Sequence, residues 1–124
     1  MPTLEITKDN FEATVKDGIV LVDWWAAWCG PCRAFAPVFE AASDKHPDVV
    51  FGKIDTEAQR ELAGGFQIRS IPTLMVFREG ILIFAQAGSL PGAALDEIVG
   101  KVKALDMDDV RRQIAEAEQA EAAK

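Results

Sequence analysis

Metal ligands are scarce in this chain, which has two cysteines and one histidine among 124 residues. Structural zinc usually takes four such ligands. One copy does not supply that set, and only a metal bridging the cysteine pairs of two copies stays open. Clustered positive charge is missing too. Thirteen Lys and Arg stand against twenty Asp and Glu, for a formal charge of −7, and the only adjoining pair is Arg111-Arg112. Nucleic-acid binding sets clustered Lys and Arg against phosphates, so no nucleic-acid partner is expected. No segment approaches the ~18 apolar residues of a membrane span. Met1-Pro2-Thr3-Leu4-Glu5 is not a basic stretch leading into an apolar one. A cytoplasmic protein without membrane contact is expected. No G-x-G-x-x-G occurs, and Gly64-Gly65 stands alone, so no bound nucleotide is expected. No repeat and no linker rich in Pro, Gly or Ser divides the sequence.

What is present is a globular composition around one unusual stretch. Apolar residues make up 49% of the chain, enough at this length for one domain with its own core. Both cysteines fall in Trp28-Cys29-Gly30-Pro31-Cys32, just after the apolar run Ile19–Trp25. The run reads as a buried strand, and the residues after the cysteines read as a helix. A strand that delivers CxxC to a helix start sets one sulfur where unpaired N–H groups and the helix dipole favour a thiolate. In a reducing compartment a lone pair is more often catalytic or metal-binding than a staple. Cys29 precedes the helix, so the N–H of Cys32 can point at its sulfur. Trp28 and Pro31 flank that sulfur and leave it accessible. Cys29 is therefore the expected nucleophile, and Cys32 the more buried resolving thiol. The thiolate of Cys29 would attack a substrate disulfide, and Cys32 would then attack Cys29 and release reduced substrate. The two-residue spacing makes that second step intramolecular.

Asp23 interrupts the apolar strand. A buried charge without a partner is costly, so the carboxyl either pairs or takes up a proton. Desolvation should raise its pKa toward neutrality. Close behind the cysteines, such a group can accept the proton of Cys32 as it becomes the attacking thiolate. Lys53, on a neighbouring predicted strand, is the candidate partner of Asp23, or else a lysine that simply reaches solvent. His46, before Pro47, reads as an exposed helix end, neither ligand nor catalyst.

The remaining pattern is β-α-β-α-β-α-β-β-α. Glu5–Thr7 is an edge-strand candidate, followed by a helix through Lys16 with Thr7 or Asp9 as its cap. Cys32–Lys45 shows an apolar stripe of Phe35, Val38, Phe39 and Ala42, with Pro37 predicting a bend in one helix. Residues 49–55 read as a strand, 57–63 as a helix stopped by Gly64-Gly65, and 73–77 and 81–87 as an antiparallel hairpin. Ser89 is the expected cap of a helix holding Leu95, Ile98, Val99 and Val102. This order predicts an α/β domain over residues 1–105, a central mixed sheet with helices on both faces. Residues 106–124 form an acidic, Ala- and Glu-rich tail. Asp106 is a candidate cap, and Met107, Val110, Ile114 and Ala117 fall at helical spacing. Two readings stand for the tail, a solvated helix or a docking helix for a partner or second subunit.

Asp23-Trp24-Trp25-Ala26-Ala27-Trp28-Cys29-Gly30-Pro31-Cys32 closely resembles the signature of the thioredoxin family. Pro37, Lys53-Ile54-Asp55, Ile68-Arg69-Ser70-Ile71-Pro72-Thr73, Gly80 and Gly88 extend the resemblance over about Ile6–Leu105. It implies the thioredoxin fold and a cis Ile71–Pro72 bond opposite the cysteines, with the backbone before that proline holding an extended substrate chain. It also implies a flat apolar docking surface of Trp28, Gly30, Pro31, Ile71, Pro72, Ala87 and Gly88. Gly30-Pro31 between the cysteines implies a reducing enzyme, because family members that act as oxidants typically carry a His there. The sequence departs from the family at several points. Trp24 replaces the usual Phe or Tyr, Ala27 replaces an acid or Ser, and Gly64-Gly65-Phe66-Gln67 lacks the usual Tyr-Gly pair. There is no N-terminal zinc ribbon.

The resemblance implies a general protein disulfide reductase. It would bind no cofactor, act as a monomer on disulfide-containing client proteins, and be recharged from NADPH by a separate flavoprotein thioredoxin reductase. A non-catalytic binding or assembly subunit, and a disulfide isomerase or oxidase, are the competing readings.

Overall fold

The computed structural model describes residues 3–124; Met1 and Pro2, the start of the expected domain, lie outside them. The described chain runs β1 (Thr3–Glu5), α1 (Phe11–Val15), β2 (Ile19–Trp25), α2 (Gly30–Lys45), β3 (Val50–Asp55), α3 (Arg60–Gly65), β4 (Thr73–Arg78), β5 (Ile81–Ala87), α4 (Gly92–Lys103) and α5 (Met107–Ala122). The strands form one mixed sheet in the order β1-β3-β2-β4-β5. β1 and β2 pair with β3 in parallel, while β2–β4 and β4–β5 are antiparallel.

Alternation along β2 divides the molecule into two cores. Side chains two apart share a face of a strand. Val20, Val22 and Trp24 join Ile6, Val15, Ile54, Met75 and Phe77 on the α1 and α3 side. Leu21 joins Phe35, Phe39, Phe51, Leu95 and Val99 on the α2 and α4 side. Asp23 follows Leu21 by two positions and so lies on the face that α2 covers. Because the central strand is covered on both faces, its sequence reads as a nearly unbroken apolar run.

Several local expectations are corrected. The edge strand is Thr3–Glu5 and not Glu5–Thr7. Neither Thr7 nor Asp9 caps α1 through its side chain; Asn10 holds the N-cap position without a side-chain cap bond. Asn10 instead accepts from the Thr7 N–H (2.8 Å) and donates to the Glu5 carbonyl (3.1 Å), tying down the loop before the helix. α3 starts at Arg60 because the Asp55 carboxylate accepts from the N–H groups of Glu57 and Ala58 and holds them in a turn. Ser89 caps nothing; Pro91, in extended conformation, is the N-cap of α4. α2 runs as one helix through Pro37. His46 is half-buried, not exposed. Its ring stacks on Phe51, and its Nε2–H donates to Asp96 Oδ1 at 2.8 Å, which links the end of α2 to α4.

Asp106 does cap α5, accepting from the N–H groups of Asp108 and Asp109. Met107 is buried, and Arg111 pairs with Glu79 on the β4–β5 turn. The Arg78 guanidinium donates to the carbonyls of Val102 (2.8 Å) and Leu105 (3.0 Å), closing the end of α4. Beyond Val110 the helix is exposed on every side.

Gly52 on β3 leaves room for the side chain of Ile6, the residue after β1. A Cβ there would stand 2.2 Å from Ile6 Cδ1 and 2.8 Å from its Cγ1, and Ile6 is fully buried. Gly52→Ala is expected to cost about 1–3 kcal/mol of overpacking strain. Ile6→Ala removes both clashing atoms, so in that background the added cost of Gly52→Ala should largely vanish. Urea unfolding of the four proteins of this cycle measures the coupling, and additive losses would refute the clash.

Candidate active site

β2 ends at Trp25, and the chain turns back through four residues into α2. Cys29 is the N-cap of α2, in extended conformation (φ −87°, ψ 113°), with Pro31 in the first turn. Proline suits that position because its missing N–H would have no helical partner. The Cys32 N–H donates to Cys29 Sγ at 3.2 Å. Cys29 and Cys32 are joined as a disulfide with Cα atoms 5.2 Å apart.

From the opposite side comes the loop before β4. Ile71–Pro72 is a cis peptide, and the Ile71 carbonyl oxygen lies 3.7 Å from Cys29 Sγ. The Gly88 N–H donates to the Pro72 carbonyl at 2.8 Å, and Ala87 pairs with Thr73. Three segments distant in sequence, 28–32, 71–72 and 87–88, therefore converge on the sulfurs. Trp28 is 67% exposed. Gly30, Pro31, Ala87 and Gly88 are also exposed, Ile71 is half-buried and Pro72 is buried. Pro72 therefore supports the expected docking surface from beneath and adds no face to it.

The expected contrast between the two sulfurs is narrow. Cys29 is 4% exposed and Cys32 2%. The bond to Cys32 and the nearby Ile71 carbonyl together cover the sulfur that the sequence led us to expect in the open.

Asp23 is fully buried, and neither carboxylate oxygen has a hydrogen-bond partner among the described residues. Burial raises its pKa from 3.8 to about 7, against a smaller lowering by the charge of Lys53. Lys53 is the register partner of Asp23 on β3. Its ammonium, however, lies 4.9 Å over the Trp25 ring and not on the carboxylate. A lysine keeps its head hydrated while its stem covers apolar surface, so the expected direct ion pair does not form. Asp23 lies on the face of the sheet that α2 covers, two positions along β2 from Leu21. The indole Nε1 of Trp24, on the other face, is also buried without a partner among the described residues.

Sequence reasoning missed a cleft of about 380 Å³ beside Trp28 and Ile71. Glu57, Arg60, Ile68, Arg69 and Ser70 are among the residues that line it. Only Ile68–Ser70, next to Ile71-Pro72 in sequence, carried any signal of this; the α3 residues carried none.

Comparisons with known proteins agree with this geometry. The sequence profile of the Thioredoxin family matches residues 2–103. The chain is 57% identical over 115 residues to a protein named "Putative thioredoxin 2" from Streptomyces coelicolor, spanning 92% of this chain and 86% of that one. It is 39% identical over 102 residues to the thioredoxin of Bacillus subtilis, spanning 82% of this chain and 98% of that one. A solved structure of a mutant thioredoxin from Halobacterium salinarum NRC-1 superposes with a TM-score of 0.78 at 27% identity, covering 84% of this chain and 93% of that chain.

The raised pKa of Asp23 makes stability depend on pH. Between 3.8 and about 7 the native carboxyl holds a proton that the unfolded chain has released. Stability from this group is therefore fully present below pH 3.8 and lost as pH rises through about 7. At about 1.4 kcal/mol per pKa unit the loss is on the order of 4 kcal/mol. Asp23→Asn, neutral at every pH, is expected to match the wild type near pH 4 and to melt higher at pH 8. Thermal melts between those limits measure the difference, and parallel curves for the two proteins would refute a buried, proton-holding carboxyl.

Proposed function

Because this chain belongs to the thioredoxin family, and is thus a thiol–disulfide oxidoreductase that reduces protein disulfides, we propose that Cys29 is its attacking thiolate and Cys32 its resolving thiol. The observation that carries the assignment is the Cys32 N–H aimed at Cys29 Sγ at the helix N-terminus. A donor and a helix dipole at one sulfur stabilise its negative charge more than its neutral form. Cys32, one turn inside and slightly more covered, is the natural second nucleophile.

The steps balance without any bound group. Thiolate Cys29 attacks one sulfur of a client disulfide; a mixed disulfide forms, and the client's other sulfur leaves as a thiolate that takes up a proton. Cys32 then loses its proton to Asp23, attacks Cys29 Sγ, and expels the second client sulfur. The client gains two electrons and two protons, and the enzyme becomes the Cys29–Cys32 disulfide. A carboxyl with a pKa of about 7 suits the middle step, because near neutrality it exchanges protons in either direction. Lys53 opposes the raised pKa of Asp23 through its charge, and so acts as a tuning group at a distance. Trp28, Gly30, Pro31, Ile71, Ala87 and Gly88 form the surface on which an extended client segment lies, and the backbone at Ile71 is its docking edge. Pro72 holds that edge in place.

Oxidised enzyme returns to the dithiol through a separate reductase, which we take to be a flavoprotein drawing on NADPH. A cytoplasmic, monomeric enzyme fits a lone cysteine pair working as a reductant. No described helix is long and apolar enough to cross a membrane. We take residues 1–105 as the catalytic domain and 106–124 as an appendage, a division supported by the family match ending at 103.

Two measurements test these roles. In dithiothreitol-driven insulin reduction, Cys29→Ser is expected to abolish turnover, whereas Cys32→Ser is expected to accumulate a stable mixed disulfide with clients. A trapped client on Cys32 in the Cys29→Ser protein would reverse the assignment. Deletion of residues 107–124 is expected to leave insulin reduction little changed, since the tail lies outside the active site; loss of activity in a truncated protein that still folds would show that the tail takes part in the reaction. A reduction potential above about −200 mV would place the protein with the oxidases or isomerases.

A further inference from the structure

The cleft beside Trp28 and Ile71 differs in charge from the rest of the molecule. The protein carries a net −7, yet the cleft is lined by two arginines, Arg60 and Arg69, and one acid, Glu57. Arg60 Nη2 lies 3.5 Å from Glu57 Oε1, an exposed pair that satisfies the carboxylate. Arg69 is exposed and has no ion-pair partner among the described residues. The other lining residues carry no charge. The cleft therefore has one uncompensated guanidinium.

The position of that guanidinium relative to the chemistry follows from the backbone. Arg69 is two residues before Ile71, whose carbonyl is 3.7 Å from Cys29 Sγ. An extended segment laid along the chain before Pro72 advances about 3.3 Å per residue. A side chain two or three residues from the attacked cysteine can then reach the cleft that Arg69 lines beside Trp28 and Ile71. Given the reductase reading above, on which this rests, we infer that Arg69, supported by Arg60, selects client segments that carry Asp or Glu close to the cysteine attacked. Arginine suits this role because its planar fork takes a carboxylate bidentately.

The test uses two disulfide-bonded peptides, identical except for Glu or Lys at the second and third residues on either side of the cysteine. The readout is the ratio of kcat/KM for the Glu peptide to that for the Lys peptide, which cancels any change in intrinsic rate. Wild-type protein at about 0.01 M salt is expected to favour the Glu peptide about fivefold or more, the scale of one or two partly exposed ion pairs and their reversal. At about 1 M salt the ratio should fall toward one. Arg69→Glu should invert it, and Arg60→Gln should lower it without inverting it. An active wild-type enzyme with equal kcat/KM for both peptides, or a preference for Lys, overturns the inference alone. So does an Arg69→Glu protein that keeps the wild-type ratio. Failure of the wild type to reduce neutral hydroxyethyl disulfide overturns the reductase reading beneath it, and the inference with it.

Discussion

A single backbone N–H, that of Cys32, reaches the sulfur of Cys29 across 3.2 Å, and the rest of the molecule is arranged to keep it there. The contact needs Cys29 outside the helix and Cys32 inside it, with an extended residue between strand and helix. β2 fixes where that residue falls. Paired on both edges and covered on both faces, it has no freedom to slide, because a one-residue slip would move Asp23 and Leu21 to the opposite core. α2 fixes the other end by burying Phe35 and Phe39 against the same face. The cysteine pair is thus positioned by the packing of β2 and α2 and not by the short loop that holds it.

The same packing imposes a cost. Asp23 occupies a face position where an aliphatic side chain would be more stable, and its two oxygens have no partner among the described residues. Function explains why the position is not apolar, because a resolving thiol needs a nearby base whose proton affinity matches neutral pH. Burial alone supplies that affinity. Lys53, displaced onto Trp25, weakens it only in part. A direct ion pair would have pulled the carboxyl back toward the ordinary acidic range. The cation–π contact of Lys53 is therefore part of the tuning, since it keeps the opposing charge near but not touching.

How much of this was legible depended on whether each signal was local. The bounds of β2 and β5 followed from apolar runs ended by turn residues, and the Asp106 cap followed from an acid placed before a helical stripe. The role of the Cys32 N–H was legible because CxxC at a helix start leaves few geometries. Two of the misses share a cause, short polar side chains that bind nearby backbone N–H groups in turns. The Thr7 hydroxyl accepts from the Asp9 N–H ahead of the helix and so caps no α1 donor, and the Asp55 carboxylate holds the Glu57 and Ala58 N–H groups in a turn before α3. The narrow exposure of Cys29 and the burial of Pro72 depend on contacts across more than forty residues, which no local pattern encodes. The cleft arginines were invisible as a pair, since eight residues lie between them and Arg60 begins a helix that Arg69 follows.

The acidic tail bears on the cleft through distance. Six acids and three bases follow Leu105, so nearly half of the net negative charge sits on that segment. α5 is anchored at Glu79, beyond one end of β4, whereas the cis peptide adjoins the other end. Six residues of strand separate these ends by about 20 Å. That is roughly two Debye lengths at physiological ionic strength. Charge at the tail's anchor is therefore largely screened at the active site, while Arg69 acts at contact range. An acidic protein can in this way present a basic edge to a client, with long-range repulsion and short-range recognition set by different segments of the chain.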